Sequence, residues 1–204
     1  IRKDTGVHPL LRTKSLETKN NSSIPFELPD TFVALSREPY AESYVKKANA
    51  YDAYLAGRVD IRYDFRMNRV VYLIKDGRQV VDAAGRTLDN IKPKWWRYGK
   101  SGNPFVCGTS RVGIVLEDCA SACSVSSFLS GIALLGTNLQ DSHLPHLRKY
   151  DRLLVALDKD ATKKGLQLVR RLQAIRPTSL VVLNKDVKDM TDDERKRTFE
   201  RYIP

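Results

Sequence analysis

No stretch of this sequence approaches the run of about eighteen apolar residues that a membrane-spanning helix needs, so no membrane span is expected. Cysteine is scarce: three residues, Cys107, Cys119 and Cys123, in a chain of 204. An odd, sparse set argues against a disulfide framework and suits a reducing compartment, the cytoplasm. Histidine is equally rare, and His8, His143 and His146 lack zinc-site spacing. Cys119 and Cys123, four apart, could share a helix face but have no second pair. Internal repeats and low-complexity tracts are missing too. The opening residues Ile1-Arg2-Lys3-Asp4 carry neither the apolar core of a secretory signal nor an initiator methionine, which points to a chain processed or excised from a longer one. Acidic residues are outnumbered, 24 against 35 Lys and Arg, giving a formal net charge of +11 and a pI of about 9.6. Such an excess favours a polyanionic partner, nucleic acid or an anionic membrane surface. No amphipathic basic helix stands out to support the membrane.

What is present suffices for one large domain or two small ones, since 42% of the residues are hydrophobic. Residues 1–38 read as an arm or linker: Asn20-Asn21-Ser22-Ser23, Pro25 and Pro29 break any regular pattern. Residues 39–110 read as a basic mixed α/β subdomain. It opens with one helix from about Pro39 to Gly57, whose face is Tyr44, Ala48, Tyr51 and Leu55. A hairpin follows, Val70–Ile74 and Gln79–Ala83, with Asp76-Gly77 as its turn signal. Basic and aromatic residues then interleave: Arg86, Lys92, Lys94, Trp95, Trp96, Arg97, Tyr98 and Lys100. Cations hold phosphates and aromatic faces stack on unpaired bases, so this is a candidate track for single-stranded nucleic acid. Neighbours on a strand point to opposite faces, so at most one of Trp95 and Trp96 is free to stack.

Residues 111–204 alternate apolar strands with helical segments. The strands are Val112–Leu116, Gly131–Leu135, Leu153–Leu157 and Leu180–Leu183. This pattern predicts an α/β fold: a mostly parallel four-stranded sheet with helices on both faces. A helical segment rich in small residues is expected to about Leu129, a short helix around Asp141 to Lys149, and further helices from Ala161 to Ile175 and from Thr191 to Tyr202. Three strands end in acids: Glu117, then Asp158 and Asp160 around Lys159, then Asp186 or Asp189. In a parallel sheet these ends share one edge, where open α/β sheets bind ligands. Carboxylates gathered there raise one another's pKa unless a cation intervenes, and magnesium takes one or two carboxylates while keeping places for phosphate. Asp118 reads as a cap for the next helix and Asp186 as a turn residue.

In motif order these residues resemble the Toprim domain of primases, topoisomerases and small nucleases. The matching segments are Ile114-Val115-Leu116-Glu117, Ala133-Leu134-Leu135-Gly136-Thr137, Leu157-Asp158-Lys159-Asp160-Ala161 and Lys188-Asp189. Upstream, Gly85-Arg86-Thr87-Leu88 and Pro93-Lys94-Trp95 resemble the Gly-Arg and Pro-Lys-aromatic elements of DnaG-type primases, in the phage or plasmid style. The resemblance covers roughly residues 45 to 200. It implies a DNA primase: magnesium-dependent (manganese substituting) synthesis of RNA primers from nucleoside triphosphates on a single-stranded DNA template, with a replicative helicase in cis or trans. By that resemblance Glu117, Asp158 and Asp160 are catalytic and, with Asp189, hold the metal. Arg86, Lys94, Trp95, Trp96, Arg97, Lys100 and Lys159 contact nucleic acid or nucleotide. The sequence departs from the family pattern at Asp118, where Gly is usual, at Lys159 between the aspartates, and at Met190-Thr191 after the last acid. No zinc ribbon is present in the sequence. Two alternatives stand beside the primase: a Toprim nuclease acting on DNA or RNA, and a non-catalytic single-stranded nucleic-acid-binding protein with a decayed core.

Overall fold

The computed structural model describes residues 25–136, 138–157 and 161–203. Most of the expected arm, and Asp158, Lys159 and Asp160, lie outside these residues. Two five-stranded sheets make up the fold. The first is an antiparallel meander of β1 (Phe32–Ala34), β2 (Ile61–Asp64), β3 (Arg69–Asp76), β4 (Gln79–Thr87) and β5 (Trp95–Arg97), in that order. The second holds β6 (Phe105–Cys107), β7 (Val112–Leu116), β8 (Ser130–Ala133), β9 (Arg152–Val155) and β10 (Thr178–Leu180), ordered β10-β9-β7-β8-β6. All its pairings are parallel except the β6 edge. The helices are α1 (Pro39–Lys47), α2 (Tyr51–Leu55), α3 (Cys119–Ser124), α4 (Leu144–Leu147), α5 (Thr162–Gln173) and α6 (Asp192–Phe199). No helix among the described residues is long and apolar enough to cross a membrane.

Several expected boundaries move. Phe32–Ala34 is not linker: it pairs with β2 as an edge strand of the first sheet. Phe105–Cys107, placed by sequence with the basic part, pairs with β8 in the second sheet, which is therefore five-stranded rather than four. The last strand sits earlier, at Thr178–Leu180. Val181 still donates to the Val155 carbonyl at 2.8 Å, but Val182 is 67% exposed as the edge peels away. The single helix expected over Pro39 to Gly57 is two, because Asn49 takes a left-handed φ of 54° between them. The hairpin is right, but Asp76 pairs with Gln79, so the two loop residues are Gly77 and Arg78. Gly77, at φ 60°, takes the first loop position, as a II′ turn requires.

One core joins the sheets. Val70, Tyr72 and Ile74 on one face of β3 pack with α1, α2, α3, Phe105 and the Ile114 and Leu116 face of β7. The other face of β3, Val71 and Leu73, is covered by Phe26, Phe32, Val80 and Tyr98. The opposite face of the second sheet, with Val115, Ile132, Leu153 and Val155, packs on α4 and α5. Helices thus cover both faces of the parallel sheet. Every residue of α3 is small and buried, which lets it settle against β8: a Cβ on Gly131 would come within 2.1 Å of the Ala122 carbonyl. Cys119 and Cys123 both lie on this helix, buried as free thiols.

His143 is fully buried in the connection before α4, and its Nδ1 accepts from the Gln140 amide at 3.2 Å. Burial pushes its imidazole down to about 4, and nearby Arg97 adds to the effect. A depressed histidine leaves the fold fully stable above the ordinary value of 6.5 and costs stability as pH falls from there through 4, because the unfolded chain takes up the proton first. Urea denaturation between pH 7 and 4 should therefore lose roughly 3 kcal/mol from this residue. His143→Gln should flatten that part of the curve.

Candidate active site

β7 is flanked by β8 and β9, and all three run in one direction. Their carboxyl ends share an edge, and the first residues past the end of β7 are Glu117 and Asp118, both half-buried. Val115 is level with Val155. Carrying that register onward sets Glu117 level with Leu157, the residue before Asp158. At the end of β8, Leu135 takes a left-handed φ of 58°. A bulky residue there costs on the order of 1 kcal/mol, a strain held at the same edge.

Asp118 does two jobs. Its Oδ1 accepts from the Ser121 amide at 2.8 Å, capping α3 as the sequence predicts. Its Oδ2 accepts from Lys188 Nζ at 2.9 Å, and the same ammonium donates to Asp186 at 2.8 Å. Burial opposes the charge on Lys188, yet Asp118 and Asp186 together hold it above the ordinary lysine value. Asp186 is thus an ion-pair partner as well as a turn residue. Asp189, in the 3-10 turn Val187–Asp189, is exposed, and its carboxylate bonds no described residue. Among the described residues no three acids, histidines or cysteines converge as a cation site. Two of the four expected ligands, Asp158 and Asp160, lie outside that set. The expected donors are all carboxylates, the hard oxygen class that magnesium takes.

The basic strands are built around a buried arginine. Arg69, 2% exposed at the start of β3, donates to the carbonyls of Gly85, Pro93 and Lys94 at 3.1–3.3 Å. It thereby ties the two sequence-predicted basic elements together, and they lie on paired strands: Arg86 is level with Trp95, and Gly85 with Trp96. Gly85 has no room for a side chain, since a Cβ would stand 2.8 Å from Tyr98 and 3.2 Å from the Arg69 stem. The Arg86 guanidinium lies 5.9 Å from the Trp95 ring centre. Its Nε is buried with no hydrogen-bond partner among the described residues. A buried, unpaired cationic donor is costly unless a ligand completes it.

Trp95 is half-buried against Tyr72, with ring centres 5.8 Å apart, whereas Trp96 is 44% exposed. The strand alternation expected from sequence holds. Lys94 and Lys100 lie on the surface. Arg97 is engaged internally: it donates to Asp82 at 2.8 Å, to Ser101 and to the Asn103 carbonyl. Asp82 is fully buried and also accepts from the amides of Ala83, Gly99 and Ser101. Arg97 is accordingly a structural ion-pair partner here rather than a free phosphate contact.

The basic and acidic parts meet at Tyr44 on α1. Burial raises its phenol above the ordinary value, Arg86 and Lys188 pull it down, and Asp118 pushes it up. Tyr44 itself is half-buried against the core that joins the two sheets. Sequence reasoning missed Tyr44, Arg69 and Lys188 as site residues. Lys188 alone carried a signal, as the one cation between Asp186 and Asp189.

No protein-family model matches the chain, and no curated protein matches it by sequence. Solved structures do. The chain is similar to a DNA primase domain from Pseudomonas aeruginosa, at 17% identity and TM-score 0.55, over 83% of this chain and 63% of that one. It is similar to the E. coli primase catalytic core at 18% identity and TM-score 0.56, over 84% and 65%. It is also similar to a DnaG primase catalytic domain bound to single-stranded DNA, at 20% identity and TM-score 0.52, over 82% and 60%. The chain has the fold of DnaG-type primase catalytic cores, and it spans just under two thirds of the length of these structures.

The internal role of Arg97 is open to a direct check. Arg97→Ala leaves Asp82 buried without its cation and should cost about 3 kcal/mol or more in urea denaturation, whereas Trp96→Ala should change stability by less than about 1 kcal/mol.

Proposed function

We propose that the chain is a DNA primase catalytic core, a magnesium-dependent DNA-directed RNA polymerase that makes short RNA primers on single-stranded DNA. One observation carries this reading. Trp95 of the basic strands and Tyr44 pack against the same core as Cys119, Val187 and Met190 beside the acidic edge, so the polyanion-binding part and the carboxylate part adjoin. The fold likeness to primase cores supports it.

In this reading Glu117, Asp158, Asp160 and Asp189 would hold magnesium, with manganese able to replace it. When bound, the metal neutralises triphosphate charge and favours the ionised form of the attacking hydroxyl. The protein's own groups supply position. Arg86, half-buried beside Trp95, offers its guanidinium to a phosphate of template or nucleotide, and Lys94 offers a point charge. Trp96 stacks its exposed face on an unpaired base. Lys100 adds positive charge along the same path; Lys159 lies outside the described residues. Lys188 offsets part of the charge of Asp118 and Asp186, so these two repel the carboxylates left for the metal less.

Incubation with single-stranded DNA, magnesium and labelled nucleoside triphosphates should yield short RNA products. Glu117→Gln should lower the yield by about a hundredfold or more while leaving DNA affinity unchanged. Trp96→Ala should weaken DNA affinity about five- to a hundredfold, the loss of one stacked base. Shortened template without nucleotide incorporation would assign the carboxylates to a nuclease. Binding without any metal-dependent product would leave a nucleic-acid-binding protein of the same fold.

A further inference from the structure

Both helices of the first subdomain end in the same way. After α2, Gly57 takes φ 67°, its amide bonds the Tyr54 carbonyl, and the Arg58 amide reaches back to the Ala53 carbonyl. After α1, Asn49 takes φ 54°, its amide bonds the Lys46 carbonyl, and the Ala50 amide reaches back to the Val45 carbonyl. This two-bond cap needs one residue in the left-handed region, and glycine fills it most cheaply. Glycine is used at the second cap. At the first the chain uses asparagine, and its side chain has a use. Asn49 Nδ2 donates to the Lys188 carbonyl at 2.6 Å and to the Met190 carbonyl at 3.3 Å. Those two carbonyls flank Asp189.

We infer that Asn49 is a positioning residue: its carboxamide clasps the backbone on both sides of Asp189 and so fixes where the basic subdomain presents that carboxylate to the acidic edge. The inference rests on the reading of Asp189 as a member of the metal-holding set. The rest of the turn is held from its own half of the molecule. Buried Arg195 on α6 donates to the Val187 and Met190 carbonyls, and Lys188 reaches Asp118. Inside the turn, the Asp189 amide bonds the Asp186 carbonyl at 3.0 Å and the Met190 amide bonds the Val187 carbonyl at 3.2 Å. Among the described residues, Asn49 supplies the side-chain hydrogen bonds that tie this turn to the end of α1, 139 residues away in sequence.

Asn49→Gly tests this in the full chain, because glycine keeps the left-handed cap and removes only the clasp. The variant should melt within a few degrees of the parent. Hydrogen exchange at the Asp189 and Met190 amides should speed up at least tenfold, with the sheet amides unchanged. Manganese affinity, read by electron paramagnetic resonance, should fall at least fivefold, and single-stranded DNA affinity should hold. Unchanged exchange at those two amides overturns the clasp. Faster exchange with manganese bound as tightly as in the parent overturns the positioning role and leaves the reading of the site intact. A parent protein that binds no manganese overturns that reading, and the inference with it.

Discussion

The ring of Tyr72 is where the two sheets are joined. It is fully buried on the middle strand of the first sheet, 5.9 Å edge-to-face from Phe105 of the second and 5.8 Å from Trp95 on the basic strand. Such aromatic pairs contribute about 0.5–1.5 kcal/mol each beyond the area they bury. The hydroxyl finds no partner among the described residues, and burial drives its pKa upward. The apolar packing therefore outweighs an unmet polar group. With Tyr72 in place, α1, α2 and the small-residue helix α3 fill one continuous core between the sheets. The two halves cannot shift against each other without opening it.

That junction decides which charges meet. Arg69, three residues before Tyr72 on the same strand, spends its donors on the carbonyls of Gly85, Pro93 and Lys94 and so sets the basic strands. Asp82 takes Arg97 out of the surface charge by pairing with it inside. On the other side Lys188 takes Asp118 and Asp186 out of the acidic edge. Charges of each sign are thus divided into a paired set that shapes the fold and an exposed remainder. Lys94, Lys100 and Asp189 belong to the remainder. Arg86 stands between the sets, half-buried and with no partner for Nε among the described residues.

Strands β7, β8 and β9 were legible because each lies in an apolar run, and Glu117 was legible because such runs end on one edge; β10 was set late because its first two residues, Thr178 and Ser179, are polar. The Gly-Arg and Pro-Lys-Trp elements were legible as motifs, and strand alternation separated Trp95 from Trp96. Sequence could not reveal which charges are paired inside. Arg97 and Lys94 look alike in a basic stretch, and only the burial of Asp82, fifteen residues earlier, distinguishes them. The edge strands β1 and β6 are three residues each, too short for a period to register. The break between α1 and α2 was hidden because an aromatic and alanine stripe runs through it at helical spacing, while a single asparagine in a left-handed conformation turns the chain.

The central claim is spatial: the carboxylate edge and the basic strands serve one ligand. Crystals grown with manganese, a nucleoside triphosphate and single-stranded DNA, mapped by anomalous scattering, test it most directly. The account predicts an anomalous peak at the carboxyl end of β7 with Glu117 as a ligand, and phosphate density toward Arg86 and Lys94. A metal peak elsewhere, or phosphates bound away from both basic strands, would contradict it.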